Sequence, residues 1–288
     1  MNALFPLENI AFLAEPAIQC SFAATSRDRN RRSKVSYEGE LIHVSELDVD
    51  KAAGQERQAL DGARARIHRA LKLSQVFDKA ARASKDAALA AASIDVLPGD
   101  APIFQQGAPA GGIVVLGRGR ARIERTSGDG AVPLGYRGSG DMLGESCIGG
   151  SPTYTESAMA MEEVEAIRVP TAVMTSLIAA DPAFGSAVMG LLLARQREIE
   201  ERIESMLFRN VEGRLAEFLL KAADRWGVPT PKGMLISAPI THLEIAQSIG
   251  STRETVTLTL GALRREGLLD VAGRRLIVKD REALAARQ

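Results

Sequence analysis

The amino-acid sequence predicts an α+β chain in which a β-rich middle gives way to one long helix, then to two short helices and a hairpin. Three observations carry that reading. Between about 94 and 170, short apolar stretches alternate with Gly99, Gly107, Gly117, Gly128, Gly130, Gly138 and Gly140. Beyond Asp181-Pro182 a single apolar stripe runs through Val188, Leu192, Ile199, Ile203 and Met206. Near the C-terminal end, two helix-start signatures lie ten residues apart around Gly250.

In chain order, residues 1–70 are the least patterned. "RDRNRRSK" (27–34) is polar and basic, and reads either as a solvated loop or as a segment touching DNA backbone. "DVDKAAGQERQALDGARARIHRAL" (48–71) has helical composition. The stretches "IDVL", "PIFQ", "GIVVL", "ARIER" and "VEAIRV" then read as short strands of a sandwich or barrel. "SGDGA" (127–131) suits a hairpin turn, because Asp-Gly tolerates positive φ.

The stripe from Val188 to Met206 follows helical steps of four, seven, four and three, with Arg195, Arg197, Glu198, Glu200, Glu201, Arg202 and Glu204 crowding the opposite face. So long and narrow a stripe suits a seam between two helices, hence a homodimer. The other reading is a helix packed on its own domain.

"THLEIAQSIGSTRETVTLTLGALRREG" (241–267) is the most specific segment. Thr241 with Glu244 spells one capping box and Ser251 with Glu254 a second, so two short helices meet at a tight turn around Ile249-Gly250. Ala246 lets them cross closely, and Ile245, Ile249, Val256, Leu260 and Leu263 supply a shared core. That pattern is a helix-turn-helix, whose second helix enters a DNA major groove. "LLDVAGRRLIVKD" follows as a β-wing. From 209 to 288 there are thirteen Lys/Arg against nine Asp/Glu, an excess of four, with Arg264, Arg265, Arg274, Arg275 and Lys279 placed to meet phosphates.

Composition excludes several classes. The 288 residues carry 36 basic and 36 acidic side chains, so no whole-protein field draws the chain to nucleic acid or membrane. Cys20 and Cys147 are the only cysteines, too few for a disulfide framework or a four-cysteine cluster. Glu8 and Glu15 interrupt the apolar N-terminus and no basic segment precedes it, which argues against a signal peptide. No run approaches the roughly 18 apolar residues of a spanning helix. The expected location is cytoplasmic, without membrane contact. No P-loop, nucleophile elbow or metal-binding constellation is present, so an enzyme is not expected.

A glycine-punctuated barrel, a long helix and a C-terminal winged helix in this order resemble the Crp/Fnr family of bacterial transcription regulators. The resemblance spans residues 71–283 and is specific at "FQQGAPAGGIVVLGRGRARI" (104–123), "GDMLGES" (140–146) and "STRETV" (251–256). It implies a cyclic-nucleotide-binding jelly-roll barrel over 71–182, a dimerisation helix over 183–208 and a winged helix-turn-helix over 209–288. Residues 1–70 form an extension of unknown role. One role open to it is packing of residues 48–71 against the barrel or dimer helices. The resemblance also implies a homodimer on a palindromic double-stranded operator, recruiting or blocking RNA polymerase.

Residue by residue, Arg253 and Glu254 match the family's base-reading pair, with Ser251, Thr252, Thr257, Leu258, Arg264 and Arg274 completing the expected DNA surface. Leu258 stands where members commonly place a second arginine, so one guanine contact is replaced by an apolar contact to a thymine methyl. In "GESCIGGSPTYTESA" (144–158), Gly144, Glu145, Ser157 and Ala158 match the family's phosphate-binding cassette, Glu145 being the ribose ligand. Glu156 occupies the place of the arginine that grips the phosphate. Ile199, Glu200 and Glu201 stand in the region where a Thr-Ser pair meets adenine. Both departures argue against cyclic AMP bound in the family manner, and the effector is left unknown. Haem through Cys20, Cys147 or His68 stays open, as does Cys147 as a small buried residue. A different-class alternative is a ligand-sensing module whose winged helix contacts protein.

Overall fold

The computed structural model describes residues 34–37, 40–43 and 46–288, apart from 128 and 129. Two compact units divide at Arg57/Gln58. In the first, β1 (Lys34–Tyr37) and β2 (Glu40–His43) form an antiparallel ladder with Lys34 opposite His43. Helix α1 (Glu46–Leu73) begins in the first unit and ends in the second. The segment 48–71 is thus helical, while the basic run before Lys34 lies outside the described residues.

The second unit opens with the end of α1, then α2 (Gln75–Asp78) and α3 (Arg82–Ala91). Eight strands follow: β3 (Ser93–Leu97), β4 (Pro102–Phe104), β5 (Gly112–Arg118), β6 (Ala121–Ser127), β7 (Gly130–Arg137), β8 (Met142–Leu143), β9 (Ser157–Ala160) and β10 (Val164–Pro170). They build two antiparallel four-stranded sheets, ordered β3-β10-β5-β8 and β4-β9-β6-β7. This is the sandwich or barrel that the glycine punctuation predicts, in the jelly-roll form that the family resemblance implies. Strands β6 and β7 pair down to Ser127 opposite Gly130, and the two turn residues between them lie outside the described set.

Strand β5 shows why the barrel holds helices on one side. It is buried from Gly112 to Gly117, and its side chains alternate. Val114 and Leu116 enter the core between the sheets, with Ile103, Phe104 and Leu143. Ile113 and Val115 point the other way and pack with Ile67, Ala70, Leu71, Phe77, Met174 and Phe184 from the helices. Near the end of α1, Arg66 and Arg69 also reach Glu165 on β10, at 3.0 and 3.3 Å.

After the barrel come α4 (Thr171–Ala180) and α5 (Pro182–Phe208). Asp181 joins them and is buried. It accepts from Ala81 N and Ser84 Oγ at 2.7 Å each, and caps α5 through Ala183 N and Phe184 N at 3.1 Å. These donors, the Ala81 amide foremost, hold its carboxyl below the usual range. A depressed acid contributes stability in full above its unfolded pKa and loses it as pH falls through the folded value. Between neutral and acid pH, Asp181→Ala is therefore expected to melt with a shallower loss of Tm than the wild type, read by thermal denaturation at each pH.

The stripe on α5 divides. Val188 is buried in the barrel-side core, whereas Leu192, Ile199, Ile203 and Met206 are 38–60 % exposed.

Helix α6 (Val211–Trp226) is capped by Asn210 and starts the C-terminal part. There β11 (Gly227–Thr230) and β12 (Gly233–Ile236) precede α7 (His242–Ile249) and α8 (Arg253–Arg265). Strands β13 (Leu269–Ala272) and β14 (Arg275–Val278) and helix α9 (Arg281–Ala285) end the chain's elements. The wing is broader than a hairpin: β11-β12-β14-β13 form one four-stranded sheet. No single helix among the described residues is long and apolar enough to cross a membrane.

Candidate DNA interface and effector cassette

Helix α7 begins with the predicted capping box: Thr241 Oγ1 accepts from Glu244 N at 3.2 Å, and Glu244 accepts from Thr241 N at 2.7 Å. It ends at Gly250, whose φ of 63° lies in the left-handed region a side chain disfavours. The second box does not form. Thr252, not Ser251, is the N-cap of α8 and accepts from Thr255 N at 3.2 Å, because Ser251 N is still engaged with Ala246 O in the turn. The helix start moves by one residue, so Glu254 stays out of the cap.

Ile245, Ala246, Ile249, Val256, Leu260 and Leu263 are all buried in one core, which fixes the outward face of α8. Arg253, Glu254, Thr257 and Leu258 stand exposed there, Leu258 at 74 %. Thr257 Oγ1 donates to Arg253 O at 2.8 Å and meets His242 Nδ1 at 3.0 Å. Eleven of the thirteen cations in this half of the chain fall into two sets. Arg209, Lys221, Arg225, Arg281 and Arg287 are paired with carboxylates. Arg253, Arg264, Arg265, Arg274, Arg275 and Lys279 are exposed and make no ion pair among the described residues. These six lie on α8 and the wing; Arg214 on α6, which donates to carbonyls, and the exposed Lys232 between β11 and β12 also make no ion pair among the described residues.

This half docks on the barrel. Arg122 on β6 bridges Glu124 and Glu244, Arg120 donates to Ser237 Oγ at 3.0 Å, and Gln247 donates to Ala131 O at 3.1 Å. Sequence reasoning missed the contacts of Arg122 with Glu244, Arg120 with Ser237 and Gln247 with Ala131, which join residues more than a hundred positions apart.

In the cassette, Gly144 has φ 77°, and a Cβ there would stand 2.9 Å from the Tyr154 ring. Glycine is required twice over at this point. The chain then makes a short 3-10 turn over Glu145–Cys147. Burial pushes the Glu145 carboxyl up, while Arg195 of α5 pulls it back from 3.3 Å. Arg195 also donates to Met142 O and pairs with Glu198, which in turn pairs with Arg137. Sequence analysis did not single out Arg195 for this place.

Glu156 is half-buried beside Thr155, whose hydroxyl donates to it, and has no cationic partner among the described residues. Ser157 is buried and its Oγ accepts from Gln106 N at 2.9 Å; Ala158 is fully buried. Arg168 is engaged by Asp95 at 2.7 Å and Ile103 O at 2.6 Å. Glu200 stays exposed on α5 and accepts from Gln196. Cys147 is a buried free thiol, pushed up by burial and by the nearby charges of Glu145 and Glu156. His68 is exposed on α1, and Cys20 lies outside the described residues. Among the described residues no three His, Cys, Asp or Glu gather to hold a metal ion.

A jelly-roll with a glycine cassette, joined through a long helix to a winged helix-turn-helix with an unpaired basic face, defines the class of ligand-binding-fold DNA-binding regulators. Comparison with known proteins agrees. The cyclic nucleotide-binding domain profile matches residues 95–181, and that of the Crp-like helix-turn-helix domain matches 213–287. The CRP-like cAMP-activated global transcriptional regulator of Mycobacterium tuberculosis is 30 % identical over 205 residues, covering 69 % of this chain and 92 % of that protein. The cyclic AMP receptor protein of Thermus thermophilus is 30 % identical over 200 residues, covering 69 % and 89 %. Among solved structures, FixK2 from Bradyrhizobium japonicum superposes with TM-score 0.61 at 21 % identity, over 68 % of this chain and 97 % of that one. The chain belongs to the Crp/Fnr family of DNA-binding transcription regulators.

Proposed function

We propose that the chain acts as a homodimer that reads a palindromic DNA site through α8 and regulates transcription by recruiting or blocking RNA polymerase, without cyclic AMP bound in the family manner. Arg253 and Glu254 read bases, Thr257 and Leu258 line the same groove, Ser251 and Thr252 flank it, and Arg264 and Arg274 meet phosphates. The observation that carries the reading is the exposed, unpaired Arg253–Glu254 face, held outward by the buried core beneath it. The exposed apolar side chains of α5 support the dimer, since a second copy would cover Leu192, Ile199 and Ile203. The Mycobacterium relative is named as cAMP-activated. Here Glu156 sets an uncompensated carboxylate beside Ser157, where a phosphate would need a cation.

The test selects duplexes from a randomised pool and compares the winner with its scrambled counterpart by fluorescence anisotropy. A sequence preference without added cyclic AMP is expected, and Arg253→Ala is expected to cost about 1–3 kcal/mol of specific binding. Equal affinity for both duplexes would overturn the reading and favour a winged helix that contacts protein.

A further inference from the structure

Between β7, α5, α6 and the end of α7 lies a cavity of about 470 Å³, within the range of sites for small organic ligands. One wall is aromatic. The Tyr136 ring lies 5.4 Å from that of Trp226 and 6.4 Å from that of Phe218, and Arg225 covers Trp226 at 5.8 Å. Pro133, Leu134, Met206, Ala222 and Ile249 add apolar surface, and the polar groups between them are unevenly satisfied.

Every carboxylate on the lining already has a cation: Glu198 has Arg137, Glu201 and Glu217 share Lys221, and Asp224 has Arg281. Arg202 has none among the described residues. Its guanidinium is half-buried and donates only to the carbonyls of Pro133, Leu134 and Gln247, at 3.0–3.5 Å. The buried Tyr136 and Ser248 hydroxyls are close neighbours in the same lining but fall short of hydrogen-bonding geometry, and neither has another partner among the described residues. Tyr136 is 92 % buried, since only 8 % of it is exposed. Burial pushes its phenol up to about 12, so it remains a donor at neutral pH. An uncompensated cation, buried donors without partners and an aromatic wall ask for one kind of occupant.

We propose that this cavity is a second ligand site, separate from the cassette, for a small organic anion carrying one flat ring. Its acidic group would sit on Arg202 with help from the Tyr136 and Ser248 hydroxyls, and its ring would lie against Phe218 and Trp226. Five α5 residues line it: Glu198, Glu201, Arg202 and Ser205, at steps of three, one and three along one face, and Met206 at the edge of the apolar stripe. That face is turned away from Ile199 and Ile203, so pairing of two α5 helices leaves the cavity accessible. The occupant would touch the barrel and the DNA-reading half together, whatever the cassette holds.

Trp226 is the only tryptophan in the chain, so its emission reports on this site alone. Titration of the full-length protein with phenyl phosphate is expected to change that emission saturably, while benzyl alcohol gives no saturable change. Arg202→Gln is expected to weaken the phenyl phosphate response about tenfold or more, the usual scale for losing a charge-assisted contact. Tyr136→Phe keeps the ring and should weaken it several-fold, and this variant decides the matter if circular dichroism shows Arg202→Gln misfolded. An unchanged emission, an equal response to benzyl alcohol, or undiminished binding by the folded variants would overturn the proposal.

Discussion

Glu156→Arg is expected to confer cyclic AMP binding, and the wild type is expected to show no saturable binding, both measured by isothermal titration calorimetry. The wild-type carboxylate is half-buried and has no cation to neutralise it among the described residues. Two unit charges about 4 Å apart interact by roughly 1 kcal/mol in bulk water and about 4 kcal/mol at the effective dielectric of a protein surface. Replacing repulsion by attraction counts the interaction twice, and partial exposure discounts it. A net gain of about 2–4 kcal/mol follows, roughly 30- to 1000-fold in affinity. Ser157 is ready to assist: its Oγ accepts from Gln106 N and still has its own proton to donate. The adenine side gains nothing, because Ile199 and Glu200 are unchanged, so the variant should discriminate bases poorly. Tight cyclic AMP binding by the wild type, or no gain in the variant, would refute the reversed-charge account.

Phe184→Ala is expected to cost about 3–5 kcal/mol of stability, seen as a lower urea midpoint at unchanged slope. Phe184 is fully buried, and its ring meets that of Phe77 at 5.1 Å. The buried residues of the 27-residue α5 are Phe184, Val188 and Ser205, so the aromatic ring is the main apolar anchor where the helix leaves the barrel. The loss is a large share of the roughly 5–15 kcal/mol by which folded domains exceed their unfolded chains. A change below about 1 kcal/mol would mean that neighbouring side chains close the void, and that α5 is held by something other than this contact.

The C-terminal motif was legible because its signals are local. A capping box, a left-handed glycine and a helical apolar spacing all act within a few residues, so Thr241, Glu244, Gly250 and the core from Ile245 to Leu263 could be placed from sequence. Even there the frame slipped by one at Thr252, since Ser and Thr are both good caps and the turn decides between them. Strands β11 and β12 escaped notice because Pro229 and Pro231 mark a loop in sequence, although an edge strand tolerates Pro229. The barrel's strands could be recognised but not their partners: Ser93 pairs with Arg168, and nothing local announces it. The cassette's outline was readable from Gly144, Glu145 and Ser157. Arg195 was not, because α5 delivers it from 50 positions away.

The two oxygens of Glu244 have separate duties. One accepts from Thr241 N and closes the first turn of α7, and the other meets Arg122 on the barrel. Glutamine serves a capping box as glutamate does, but brings no charge to Arg122. A single change of one atom type can therefore loosen the grip between the two halves while the helix-turn-helix keeps its own shape. Docking strength and motif integrity are separately adjustable at one codon, so natural variation can retune how firmly the DNA-reading half is held without rebuilding it.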